Sequence, residues 1–269
     1  MIPFKDNLRF IARPTVTALI IVLNVVFFII EQALMQSGRE FAQLVQDYGM
    51  FTPANFTHAF SSADPLAMLL ATCTMFTAMF LHGGYMHIFG NMVFLNCFGR
   101  AVEARLGKRQ YVAFYLLAGL AATAGQYLMN PLSEVPNLGA SGAIAGVLSA
   151  YLMFFPRAKI AGISMQIGIV YAPAWSYLIG WVGMQVVSVL FESPHGGGGV
   201  AYMAHIGGFV FGILAGIVAR FLIPVGDVSY AAHVVEAQRH SRPGGALLAI
   251  GQRFKAGFIR IKTRKVQPV

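Results

Sequence analysis

Charge is what this chain has least of. Only 11% of its 269 residues are Asp, Glu, Lys or Arg, and Asp and Glu together number 10. A soluble domain carries about 25% charged residues, so a water-facing surface on all sides is excluded. The two cysteines, Cys73 and Cys97, lie in apolar surroundings without metal-ligand spacing, so neither a disulfide framework nor a thiolate metal site is expected. There is no His-Glu-x-x-His. His82 and His87 are five apart rather than four and have no carboxylate beside them, so a zinc metalloprotease is disfavoured and no metal or cofactor is expected. The net charge of +9 comes from basic residues in short loops and a tail, not from a patch interleaved with aromatics, which argues against nucleic acid as a partner.

What fills the chain instead is apolar: 57% of residues are hydrophobic and the mean hydropathy is +0.66. The expected partner of that surface is a lipid bilayer. Residues 1–14 form a basic segment with Lys5, Arg9 and Arg13. The apolar run from Thr15 to about Leu34 has no small-x-small cleavage site after it and reads as an uncleaved first span. Residues 35–81 form a long first loop, and its apolar stretch Leu66–Leu81 reads as interfacial or re-entrant. A second span is expected from near His82 to Phe98 and a third over Tyr111–Met129. A fourth covers Ser141–Phe155, a fifth lies in the later part of Ile163–Phe191 because Pro173 interrupts it, and a sixth covers Val200–Ile223. The fourth covers only about 23 Å of a roughly 30 Å hydrocarbon core, so it should begin below the membrane surface.

Arg100, Arg105, Lys108 and Arg109 lie between spans two and three, and Arg157 and Lys159 between four and five; the other loops are poor in base. The positive-inside rule then puts both termini in the cytoplasm. The expected class is an all-α polytopic membrane protein: six spans over 15–223 around a short fourth helix, followed by a basic cytoplasmic tail, 224–269. Within the tail, Ala246–Lys262 mixes apolar and basic residues as an amphipathic helix on anionic lipid does, and a merely solvated basic tail is an equal reading.

This topology brings polar groups from three spans to one depth near the outer face. His87 and Asn91 share a face of span two, with His82 expected at its entrance; Ser141 starts span four; His205 lies just inside span six. Histidines in a membrane are costly and face a bundle interior or a cavity. A single one reads most simply as an interhelical hydrogen-bond partner, and Ser141 alone as a helix cap. Together they spell acyl transfer, with Ser141 as nucleophile and His205 as base. Backbone N–H groups near Ser141 and the side chains of His87 and Asn91 are candidate oxyanion donors. No acidic residue stands at that level to orient His205, which leaves a Ser-His pair. Gly142 with Gly146, and Gly208 with Gly212, form small-xxx-small pairs that permit spans four and six to approach closely.

The stretches His82-Gly-Gly-Tyr-Met-His87-Ile-Phe-Gly-Asn91, Gly139-Ala-Ser141-Gly142 and Ala204-His205-Ile-Gly-Gly208-Phe-Val-Phe-Gly212 occur in this order. With them the chain resembles the rhomboid intramembrane serine proteases over roughly 15–223, and Phe98–Gly107 looks like that family's turn after the second span. The resemblance implies a Ser141/His205 dyad, oxyanion stabilisation by His87 and Asn91, and supporting roles for His82 and Gly139. It also implies cleavage of single-span membrane proteins near the outer face, in a bacterial inner membrane. Two features depart from the family pattern. Ala145 stands where some members carry an aromatic that packs on the histidine, and 35–81 lacks the Trp-Arg pair of some members.

Two other classes compete. An inactive client-binding relative would have lost the serine or the histidine, and both are here. A transporter would use the glycine-rich helix start as a substrate site, but no inverted repeat and no ion-coupling carboxylate are read in the spans.

Overall fold

The computed structural model describes residues 2–10, 14–164, 168–190, 201–223 and 228–230. Two short strands, β1 (Ile2–Asp6) and β2 (Leu8–Phe10), precede the first long helix, α1 (Val16–Ser37). The long loop folds into α2 (Arg39–Gly49), α3 (Pro53–Ser62) and α4 (Pro65–Thr77), ending in a 3-10 turn at Ala78–Phe80. Asp64 accepts the N–H of Leu66 at 2.9 Å to cap α4, whose first residue is Pro65. Then come α5 (Tyr85–Phe94), a π-helical turn at Leu95–Gly99, α6 (Arg100–Leu106), α7 (Lys108–Met129) and α8 (Ser141–Phe154). A hairpin of β3 (Lys159–Ser164) and β4 (Gly168–Pro173) leads into α9 (Ala174–Leu190), and α10 (Tyr202–Leu222) follows.

The molecule is a mostly helical polytopic membrane bundle, and each of the six expected spans falls on a helix. By length and composition α1, α7 and α10 can each cross a bilayer. The pair Pro65–Phe80 and Tyr85–Leu106, bent by 78°, adds a fourth if it is counted as one broken span. The short helix α8 and the 17-residue α9 fall below that length. The bend at 81–84 bears on the expectation that Leu66–Leu81 is no separate crossing.

Four features were not anticipated. The second span starts at Tyr85, not His82, because Gly83 and Gly84 end the preceding turn; it then runs on to Leu106. Arg100–Leu106, read as loop, is therefore helix, and the connection to α7 shrinks to Gly107 at φ +84°. Strand β1 pairs antiparallel with β3, and β3 with β4, so a small sheet forms from the basic N-terminal segment and the connection between spans four and five, where no strand was expected. Finally, α1 does carry a buried carboxylate: Glu31, which accepts the backbone N–H of His82 at 2.8 Å. It acts as a hydrogen-bond acceptor for irregular backbone. Of the expected tail, Ala246–Lys262 lies outside the described residues.

The core is α8, apolar on all sides and buried from Gly142 to Tyr151. It packs chiefly on α7 and α10. The contacts are between small groups: a side-chain carbon on Gly146 would meet Ala118 Cβ at 2.6 Å, and one on Gly207 of α10 would meet the Ala121 carbonyl oxygen of α7 at 2.7 Å.

At the opposite end from Ser141, Glu103 of α6 holds the start of α1. Its carboxylate accepts the N–H groups of Thr15, Val16 and Thr17 at 2.7, 2.9 and 2.7 Å, and the Thr17 hydroxyl at 2.8 Å. No local side chain caps α1, so this distant glutamate supplies the acceptors, and its position at a helix N-terminus suits a negative group. Arg105, one turn away, donates to the Ile223 carbonyl at 3.1 Å and lies 5.0 Å over the Phe154 ring, joining α6 to the ends of α10 and α8. Glu103→Ala leaves these donors without their acceptor and is expected to cost on the order of 3 kcal/mol. A denaturation series in mild detergent checks this, and a loss below about 1 kcal/mol would refute the capping role.

Asp6 ties β1 to the bundle, accepting the Tyr151 hydroxyl at 3.0 Å and the Leu8 N–H at 3.2 Å. Burial raises its pKa from 3.8 to about 6, against the lowering effect of those hydrogen bonds and of Arg100. The folded state thus holds this proton more tightly than the unfolded chain does. The associated stability is present at low pH and is lost as the pH rises through about 6. The melting temperature should therefore fall between about pH 4 and about pH 6, and Asp6→Asn should flatten that slope.

Candidate active site

Ser141 opens α8. The chain reaches it through Gly139, whose φ of +119° is open to glycine and strained for other residues. Two further constraints act there. The Gly139 N–H donates to the Ala78 carbonyl at 2.8 Å, and a side-chain carbon on Gly139 would lie 2.8 Å from His87 Cε1 and Nε2. Gly139 is therefore a space-maker whose own N–H is already engaged, which removes it from the set of oxyanion donors. The N–H groups of the first turn of α8 have no acceptor inside the helix and remain available.

His205 lies in the first turn of α10 and is buried. Its Nε2 is 2.7 Å from Ser141 Oγ. What brings them together is the glycine face of α10. A side-chain carbon on Gly208 would clash with the Gly142 carbonyl, and one on Gly212 with the Gly146 carbonyl. The two backbones therefore lie as close as peptide groups permit. Gln126 of α7 steadies the entrance of α10, its side-chain oxygen accepting the Ala204 N–H at 3.2 Å.

Of the other expected site residues, His87 sits against Gly139 and packs edge-on against His82, with ring centroids 5.1 Å apart. Asn91 follows one turn later on α5, buried. Its Nδ2 has no hydrogen-bond acceptor among the described residues. His82 is not at an exposed entrance: it is fully buried in the turn before α5, and its ring nitrogens are likewise unpaired among the described residues. No cluster of His, Cys, Asp or Glu suited to a metal occurs among the described residues. A cavity of about 40 Å³, lined in part by Thr123, Gln126, Asn137, Gly139 and Gly142, opens beside Ser141 and has room for a few water molecules.

Two residues escaped sequence reasoning. Gln185 of α9 places its side-chain oxygen 2.6 Å from His205 Nδ1, and Trp181, one turn earlier, packs on the His205 ring at 5.7 Å. The family's aromatic neighbour, absent at Ala145 of α8, is thus replaced by one from α9. The four-residue spacing of Trp181 and Gln185 was legible as one helix face, but nothing in the sequence says which neighbour that face meets.

Comparison with known proteins identifies the family of the helical bundle. The family model described as "Rhomboid domain" matches residues 71–221. The RHOMBOID-like protein 5 of Arabidopsis thaliana is 35% identical over 78 residues, 29% of this chain and 25% of its own. Rhomboid protein 1, mitochondrial, of Saccharomyces cerevisiae is 28% identical over 167 residues, covering 61% of this chain and 43% of its own. The Presenilin-associated rhomboid-like protein A, mitochondrial, of Danio rerio is 30% identical over 146 residues, 52% of this chain and 35% of its own. The chain spans less than half the length of each of these relatives.

The closeness of α8 and α10 makes a direct prediction. Gly208→Ala must push the two backbones apart, and a displacement of about 1 Å between reacting groups costs roughly 100-fold in rate. The variant should remain folded by circular dichroism yet label at Ser141 with a fluorophosphonate at least ten times more slowly. Unchanged labelling would show that the glycine contact does not set the Ser141–His205 distance.

Proposed function

This chain belongs to the rhomboid family, and we propose that it is an intramembrane serine endopeptidase using Ser141 and His205. The observation that carries the reading is the 2.7 Å approach of His205 Nε2 to Ser141 Oγ at the start of a helix buried in a membrane bundle.

In this reading His205 Nε2 takes the proton of Ser141 as Oγ attacks the carbonyl carbon of a substrate peptide bond. The negative oxygen of the tetrahedral intermediate is met by first-turn N–H groups of α8 and by the Asn91 and His87 side chains. The imidazolium returns its proton to the departing amine, and an ester to Ser141 remains. Water from the cavity beside Ser141 gives its proton to His205 and its oxygen to the acyl carbon, releasing the acid and restoring the serine. The unsatisfied Asn91 Nδ2 supports its role: a buried donor without an acceptor is costly in a resting protein and useful where negative charge develops.

The substrates proposed are single-span membrane proteins, cut near the outer face, with small residues at the scissile bond and helix-destabilising residues after it. The loop charges favour a plasma membrane with cytoplasmic termini. The mitochondrial names of some relatives make an organelle inner membrane the second reading.

The test is cleavage of a single-span reporter by the purified protein in proteoliposomes. The parent should cut, Ser141→Ala and His205→Ala should each lose at least about 10⁴-fold, and Asn91→Ala should lose about 10²-fold in kcat. Equal cutting by all would overturn the assignment. No cutting by the parent, with the reporter still bound, would favour a client-binding protein.

A further inference from the structure

The mechanism above needs one thing that the Ser-His pair cannot supply. An imidazole has two neutral tautomers, and only the one with its proton on Nδ1 offers a lone pair at Nε2 to the serine hydroxyl. A base left to choose spends part of its time in the wrong form, with Nε2–H pointing at Ser141. It is also free to rotate about its side-chain bonds, and 2.7 Å is a distance that small rotations destroy.

The described residues offer His205 Nδ1 one hydrogen-bond partner, and it is an acceptor. Gln185 Oε1 lies 2.6 Å away and both side chains are buried. An amide oxygen can only accept, so the proton of this pair sits on Nδ1 and the lone pair is left at Nε2. Trp181, on the same face of α9 one turn before, lies on the ring and restricts its rotation. Among the described residues no carboxylate is paired with His205: Glu31 is bound to the His82 N–H and Glu103 to the start of α1. In a low-dielectric bundle a neutral acceptor avoids the cost of a second buried charge, while still selecting the tautomer. The logic is that of an amide third member in a nucleophile–histidine pair.

We propose that Gln185 is a positioning residue for the reaction, its side-chain carbonyl accepting the Nδ1–H of His205 and so holding the imidazole in the tautomer and rotamer that take the Ser141 proton. This rests on His205 being the base, as proposed above. It makes α9 part of the catalytic apparatus, although α9 carries no group that touches the substrate's reacting atoms.

The experiment compares Gln185→Leu and Gln185→Glu with the parent and with Ser141→Ala, measuring kcat, KM and the pH–rate profile on the single-span reporter in proteoliposomes. Gln185→Leu keeps the apolar volume but cannot accept, and should lower kcat by roughly 10²–10⁴-fold with KM changed less than about threefold. Gln185→Glu restores an acceptor and should recover activity to within about tenfold of the parent. Its acid limb should move to higher pH, because a carboxylate beside the ring favours the protonated imidazole. A merely structural role would lower both variants alike and leave the shape of the profile unchanged, which overturns the inference. So does a Gln185→Leu variant as active as the parent. In either case loss of activity in Ser141→Ala leaves the dyad standing, whereas cutting by Ser141→Ala would remove the reading on which this inference depends.

Discussion

The rest of this structure depends on how closely two backbones can approach inside a membrane. Lipid offers no hydrophobic force to press helices together, so association rests on packing of small groups. Gly142 and Gly146 on α8 face Gly208 and Gly212 on α10 with carbonyl oxygens where side chains would otherwise be. A nucleophile and a base on short polar side chains can meet only across such a contact. The 2.7 Å between Ser141 Oγ and His205 Nε2 is thus a by-product of peptide packing.

Burying a helix as short as α8 raises a second problem, since its ends lie where backbone groups cannot reach water. The two ends are handled differently. At the Ser141 end, irregular backbone is satisfied within the protein, with Gly139 donating to Ala78 and His82 to Glu31, while the N–H groups of Ser141, Gly142 and Ala143 have no acceptor within α8. At the other end polar side chains tie elements together. Glu103 serves the orphan donors of α1, Arg105 serves a carbonyl after α10, and Asp6 and Tyr151 join the small sheet to α8. The Ser141 end carries buried polar atoms, Asn91 Nδ2 and the His82 ring nitrogens, without a partner among the described residues.

The acceptor on His205 comes from α9, which contributes no residue to the three motifs by which the family is recognised. In the proposed mechanism the chemistry is divided among elements far apart in the chain: α8 would bring the nucleophile, α10 the base, α5 the oxyanion donors and α9 the group that orients the base. The aromatic beside His205 likewise comes from α9, at Trp181, while α8 has Ala145 one turn after the serine.

The membrane class and the approximate helix positions were legible in the sequence, and so was the meeting of Ser141 with His205. Apolar runs, glycine spacing and intramembrane histidines are local signals with one physical meaning. The sequence misplaced the start of α5 at His82, because glycines mark a turn without saying on which side the helix begins. It read Glu103 and Arg105 as loop charges serving topology, because charge in a short segment looks alike whether it faces water or caps a neighbouring helix. The pairing of β1 with β3 was missed, since it joins residues about 160 apart in the chain. Gln185 was invisible for the same reason. A glutamine on an apolar helix gains its meaning only from the group 2.6 Å away, and that neighbour is chosen by tertiary packing, not by anything within one turn of it.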